Sequence, residues 1–175
     1  MKSIIPIISL ATLLLAGTNA LAQTTGTRLG AYDQKIHILW FDEPQDIAYI
    51  RRLLQEGHGA KAVEKAREYA ALLSGTQGGE GQVLLYFALN ALCAALTKTG
   101  ETEEAVETCG QAIDLISWKW QAYNNRGTAY YVSGDFTSAL QEYRKARDLL
   151  NSEGDARFIV ERNMELAETR LAAGR

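Results

Sequence analysis

Two stretches of the chain coincide when one is shifted by 34 residues. Leu89, Leu92, Cys93, Leu96, Gly100, Ala105, Cys109 and Ala112 fall on Tyr123, Arg126, Gly127, Tyr130, Gly134, Ala139, Tyr143 and Ala146. A fixed period of this size is the mark of a stacked helical array, in which each unit buries its apolar face only against its neighbours. The expected fold is therefore all-α, a solenoid of about three helix hairpins closed by a capping helix. Such a fold presents a surface rather than a reaction pocket.

The spacing sets the units. Ile47, Ile50, Leu53 and Leu54 form a helical stripe, and Ala62, Val63, Ala66, Tyr69, Ala70 and Leu73 a second. The step Gly57 to Ala62 repeats as Gly100 to Ala105 and Gly134 to Ala139. The expected hairpins are thus 43–76, 86–119 and 120–153, with a closing helix over 155–172. Asp42 and Pro44 read as the start of the first helix. Thr76 to Gly81, glycine-rich, reads as a loose loop. In the closing helix, Phe158, Ile159, Met164 (or Val160), Leu166 and Leu171 are the candidate inward residues. Within each hairpin two helices approach closely only where side chains are small, as at Cys93 and Ala105 or Gly127 and Ala139.

The N-terminus has a different character. Met1-Lys2-Ser3 precedes an apolar run from Ile4 to Ala16, followed by Ala20-Leu21-Ala22. This is the pattern of a secretory leader, with cleavage expected after Ala22. The run falls short of the ~20 residues a bilayer span needs. A soluble periplasmic or secreted protein is expected, with no membrane span after cleavage. Without Lys2 the chain carries 17 basic and 21 acidic residues. That balance, without a basic cluster, argues against nucleic acid as a partner. Residues 23–42 belong to no repeat. Their apolar segment Ile36-His37-Ile38-Leu39-Trp40-Phe41 suits a cover for the array's exposed end.

The run Tyr123-Asn124-Asn125-Arg126-Gly127-Thr128-Ala129-Tyr130, followed by Ala139, Tyr143 and Ala146, resembles the tetratricopeptide repeat. It has Tyr for Trp, Arg for Leu and Tyr for Phe in that family's signature. The hairpin before it matches through Leu89, Leu92, Cys93, Leu96, Ala105, Cys109 and Ala112, and residues 43–76 match less closely. The resemblance implies a right-handed α-solenoid, a superhelical stack of helix pairs with a concave groove lined by the first helix of each hairpin. Carried onto this chain, the exposed groove positions are Ile47, Ala48 and Arg51; then Phe87, Asn90, Ala94 and Thr97; then Gln121, Asn124, Asn125, Thr128 and Tyr131. Arg162 and Glu165 follow on the last helix. Asparagine is a poor helix former, so an adjacent pair points to groove use, where amides bond a peptide backbone. The alternative is a solvated helix face. The charged clamp by which some family members hold chaperone C-termini is not matched by Ile47, Arg51, Ala91, Gln121 and Asn125.

Cys93 and Cys109 face one layer. They read either as a disulfide, which an oxidising compartment favours, or as two small buried apolar residues. No cofactor and no metal is expected, because no Cys/His cluster has ligand spacing and no phosphate loop or nucleophile elbow is present. Three functions are compatible with these features. The first is an interaction module holding a protein or peptide segment. The second is a structural or assembly subunit of an envelope complex or homo-oligomer. The third is a small hydrolase or redox protein using a cysteine, which would need an accessible thiol.

Overall fold

The computed structural model describes residues 44–76, 78–150 and 154–174. The expected leader, the 23–42 extension and the Asp42 cap lie outside these. The described residues form seven helices and no strand: α1 (Gln45–Gln55), α2 (Gly59–Leu73), α3 (Gly79–Thr99), α4 (Thr102–Leu115), α5 (Trp120–Ser133), α6 (Phe136–Asp148) and α7 (Asp155–Ala173). Consecutive helices pair throughout, and α3 also packs on α1 and α5, as does α5 on α7. The result is three hairpins and a closing helix.

Each first helix ends on a glycine with positive φ: Gly57 (85°), Gly100 (89°) and Gly134 (88°). A side chain at that backbone conformation would be strained, so these glycines fix where the chain reverses. The segment Gly79-Glu80-Gly81 departs from expectation. It is the first turn of α3, which extends this helix well ahead of the repeat register. Val83 from the extension packs on the main core, and Leu84 and Leu85 close over Ala70, Leu73 and Ala88. Tertiary packing outweighs the helix-weakening glycines here.

The α3 helix is the one helix among the described residues long and apolar enough to cross a membrane. Its position between α2, α4 and α5 explains that composition, because Ala88 and the run Ala91 to Thr97 are buried on all sides.

Gly127 shows why a small residue is needed inside a hairpin. A Cβ there would lie 2.7 Å from Tyr143 Cε1 and 3.2 Å from the Ala139 carbonyl. Arg126, which replaces the signature leucine, is half-buried and donates to Glu142 on α6 at 2.8 Å. In α7, Ile159, Val160 and Met164 point inward as expected, whereas Phe158 is 69% exposed. Its place in the buried stripe is taken by Asn163 and Ala167, at 1% and 0% exposure.

Candidate protein-binding face

The first helices α1, α3, α5 and α7 line one side of the stack. The expected groove residues do lie on α3 and α5, but their expected exposure is corrected. Asn90, Ala94, Thr97, Asn124, Asn125, Thr128 and Tyr131 are all buried, and Phe87 and Gln121 are half-buried. Ile47 is buried too, Ala48 and Arg51 are half-buried, and Arg162 and Glu165 are exposed and paired with each other at 3.0 Å.

The asparagines are bonded to one another. Asn125 Nδ2 donates to Asn90 Oδ1 at 3.0 Å, linking α5 to α3. Asn163 Nδ2 donates to Asn124 Oδ1 at 3.0 Å, linking α7 to α5. Asn124 Nδ2 approaches Asn125 Oδ1 at 3.4 Å and joins the two links. A buried amide without a partner is costly, so each rung fixes the register of two helices. The ladder accounts for poor helix formers in mid-helix without a peptide ligand. Asn163 was missed in the sequence, where Arg162 and Glu165 stood for this helix; its spacing from Asn124 is 39 rather than 34 residues.

The hydroxyls on this side turn back into their own helices. Thr97 donates to the Cys93 carbonyl at 2.8 Å and Thr128 to the Asn124 carbonyl at 3.0 Å. Tyr143, fully buried, donates to Thr128 Oγ1 at 3.2 Å, and burial holds its phenol far above the ordinary range. What the face offers a partner is therefore its edges. Between α5 and α7 lies an open cleft of about 440 Å³ lined by Tyr131, Arg162, Glu165, Leu166, Thr169 and Arg170. Arg170 Nε donates to Tyr131 Oη at 3.2 Å across it. Gln121 Oε1 is buried and accepts no hydrogen bond among the described residues.

Two other surfaces carry exposed apolar groups. Leu72, 76% exposed, borders a hollow of about 190 Å³ with Asp46, Tyr49, Ile50, Lys65 and Tyr69. Burial, with the nearby Asp46 carboxylate, raises the Tyr69 phenol. At the α4–α5 turn, Lys119 Nζ lies 5.1–5.7 Å from the ring centroids of Trp118, Phe87 and Tyr86. Trp118 is 67% exposed.

Cys93 and Cys109 join α3 to α4, with Sγ atoms 2.08 Å apart, Cα atoms 5.4 Å apart and both residues fully buried. This removes the redox reading, which needed an accessible thiol. No group of three or more His, Cys, Asp or Glu residues among the described ones is placed to hold a metal.

Comparison with known proteins agrees with the fold. The family profile of the bacterial transcriptional activator domain matches residues 80–170. Tetratricopeptide repeat protein 36 of Bos taurus is 38% identical over 66 residues, 38% of this chain and 34% of that protein. The DnaJ homolog subfamily C member 3 homolog of Dictyostelium discoideum is 36% identical over 56 residues, 32% of this chain and 11% of that one. The matches thus span about a tenth to a third of these relatives. The NMR structure of the first TPR domain of human RPAP3 superposes with a TM-score of 0.58 at 15% identity, covering 73% of this chain and 91% of that one. The crystal structure of the P58(IPK) TPR domain gives 0.60 at 17%, covering 75% and 34%. At these identities the structural likeness shows the fold.

Proposed function

From the premise that the chain belongs to the tetratricopeptide-repeat proteins, in the family of the bacterial transcriptional activator domain, we propose that it is a non-enzymatic protein–protein interaction module. Its ligand is a peptide or helix of another protein, taken along the side formed by α1, α3, α5 and α7. The observation that carries this reading is the α5–α7 cleft. It combines an apolar wall at Leu166, an aromatic ring at Tyr131 and the charged side chains of Arg162, Glu165 and Arg170. An apolar anchor with a polar rim is the ordinary composition of a protein-binding patch.

We place the module outside the cytoplasm. The leader-like N-terminus and the bonded, buried cysteine pair both favour an oxidising compartment. The family's name points instead to transcription, and the acidic balance of the chain favours a protein contact over a nucleic-acid one. A structural subunit of an envelope complex remains the second reading, favoured by the exposed Trp118, Phe158 and Leu72. Large exposed apolar side chains mark contact surfaces where they cluster.

Capture from an envelope extract tests the first reading. Arg162→Glu together with Arg170→Glu reverses the charge of the rim; it gives up the exposed Arg162–Glu165 pair and the Arg170–Tyr131 hydrogen bond and leaves the apolar core residues in place. The expected outcome is loss of the captured partner with helix content retained. Unchanged capture overturns the cleft as the binding site. A stoichiometric homo-oligomer in light scattering supports the structural reading instead.

A further inference from the structure

The first hairpin carries a group of side chains that the repeat itself does not require. The hollow of about 190 Å³ between α1 and α2 is lined by Asp46 and Tyr49 on one side and by Lys65, Glu68, Tyr69 and Leu72 on the other. Gly57 falls on Gly100 at a step of 43 residues, and the same step carries Asp46, Tyr49, Lys65 and Tyr69 onto Leu89, Leu92, Thr108 and Ala112. In the second hairpin Leu92, Thr108 and Ala112 are buried, and Leu89 is half-buried against the core. Where a neighbouring helix covers this place, the fold fills it with uncharged packing. At the end of an array the outer face needs polarity for solubility. That need accounts for the charges, but not for two aromatic rings with a leucine 76% exposed at their rim.

The charges around the hollow do not cancel. Lys65 Nζ, the one cation in the lining, lies 2.6 Å from Glu68 Oε2 and 3.7 Å from Glu64 Oε1. Asp46, in the first turn of α1, has no ion-pair partner among the described residues. Its carboxylate is near enough to the Tyr69 phenol to add to the rise that burial causes. Tyr69 is thereby kept neutral, an electron-rich ring rather than a second anion. The Arg52 guanidinium stands 5.2 Å from the Tyr49 ring centroid without lining the hollow, so this ring already accepts a cation on a face. Rings and a carboxylate together attract a cation. Ile50, 1% exposed, and Leu72 add apolar surface beside them. A ligand with an aliphatic stem and a charged head uses both kinds of contact. We propose that the hollow takes the side chain of a lysine or arginine from a partner polypeptide, its stem on Leu72 and Ile50 and its head against Asp46, Tyr49 and Tyr69. The space suffices, since a cavity of about 150 Å³ admits a benzene-sized molecule. The site shares no residue with the α5–α7 cleft and goes beyond the reading of that cleft.

Titration of the full chain with n-butylguanidinium chloride tests the proposal, followed by proton–carbon correlation NMR at matched ionic strength. The expected result is a saturable shift of the Leu72 methyl and Tyr69 ring signals. Neither n-butanol, which has the stem without the head, nor sodium chloride should reproduce it. Asp46→Asn, with helix content retained, should weaken binding about three- to fivefold, and Leu72→Ala roughly twofold. A blocked alanine pentapeptide with arginine at its centre separates a polypeptide side chain from a free small cation. It should shift the same signals with at least the affinity of butylguanidinium. Absence of a saturable shift, equal shifts with butanol, or binding indifferent to Asp46→Asn overturns the site. A pentapeptide that fails to bind where butylguanidinium succeeds overturns the polypeptide as its ligand. No residue of the α5–α7 cleft enters these measurements, so this inference and the cleft reading fail separately.

Discussion

The hairpins α3–α4 and α5–α6 follow one backbone plan and close the gap between their helices with different chemistry. At the point of closest approach α3 carries Cys93 and α4 carries Cys109, which are bonded. The residues 34 positions on are Gly127 and Tyr143, where a fully buried ring lies against a missing Cβ. Beside them Leu92 and Thr108 in one hairpin correspond to the ion-paired Arg126 and Glu142 in the other. Two small sulfur-bearing side chains, or one large ring against none, fill the same gap. The plan therefore fixes the volume between the helices and leaves open whether a covalent bond or packing holds it. A ring stabilises through the area it buries, and a disulfide mainly through the freedom it removes from the unfolded chain. The two hairpins should respond to different perturbations.

The largest difference is expected at Tyr143. Tyr143→Ala empties a fully buried site and leaves Thr128 Oγ1 without its donor. The expected loss is about 3–5 kcal/mol, measured by urea unfolding, and it is the same with or without reductant. Reduction of the wild-type protein should act on the other hairpin alone. The bond closes a loop with a sequence separation of 16, worth about 3 kcal/mol. Cys93→Ala with Cys109→Ala should lose a similar amount and become indifferent to dithiothreitol. If reductant destabilises the double variant as much as the wild type, the comparison fails.

Gly127→Ala sharpens the same point with one methyl group. Alanine is the better helix former by about 1 kcal/mol. Here the new Cβ meets a Tyr143 ring that is buried on all sides and the Ala139 carbonyl, and overpacking costs about 1–3 kcal/mol. A net loss of roughly 1–2 kcal/mol is expected in thermal unfolding. In the Tyr143→Ala background the ring contact is gone and only the 3.2 Å approach to the Ala139 carbonyl remains, so the same substitution should cost clearly less.

How much of this was legible follows from what each residue signals. The 34-residue step gave the helix pairs because glycine and alanine at fixed intervals report a backbone constraint. The cysteine pair was legible as two alternatives, since their separation depends on helix packing. The groove was only half legible. The resemblance located Asn90, Asn124 and Asn125 on the correct side, but an amide facing a ligand and an amide facing another helix read alike in a sequence. What distinguishes them is Asn163, on a helix whose register departs from 34 residues. The helical turn at Gly79 was hidden by its glycines, because the packing of Val83, Leu84 and Leu85 that holds it is non-local.

The smallest expected effect separates the two hairpins at the start of their second helices. Asp135 caps α6 by accepting from the Ser138 backbone N–H at 3.0 Å, and α4 has Glu101 at the corresponding position with no side-chain cap. Glu101 accepts from the Thr99 hydroxyl at 2.8 Å and lies 3.8 Å from Arg67 instead. The bonds from Ser138 hold the Asp135 carboxyl below its ordinary value. A carboxyl held low in the folded chain adds stability above the unfolded pKa, about 3.9, and loses it as pH falls through the folded one. Asp135→Ala should therefore cost about 1 kcal/mol at pH 7. The gap to wild type should shrink as the pH drops below about 4, read from melting curves at matched ionic strength. Glu101→Ala should show no comparable capping loss, and Glu101→Asp should gain stability if the cap transfers. Equal, pH-independent losses at both positions would mean that the two turns are held by their glycines alone.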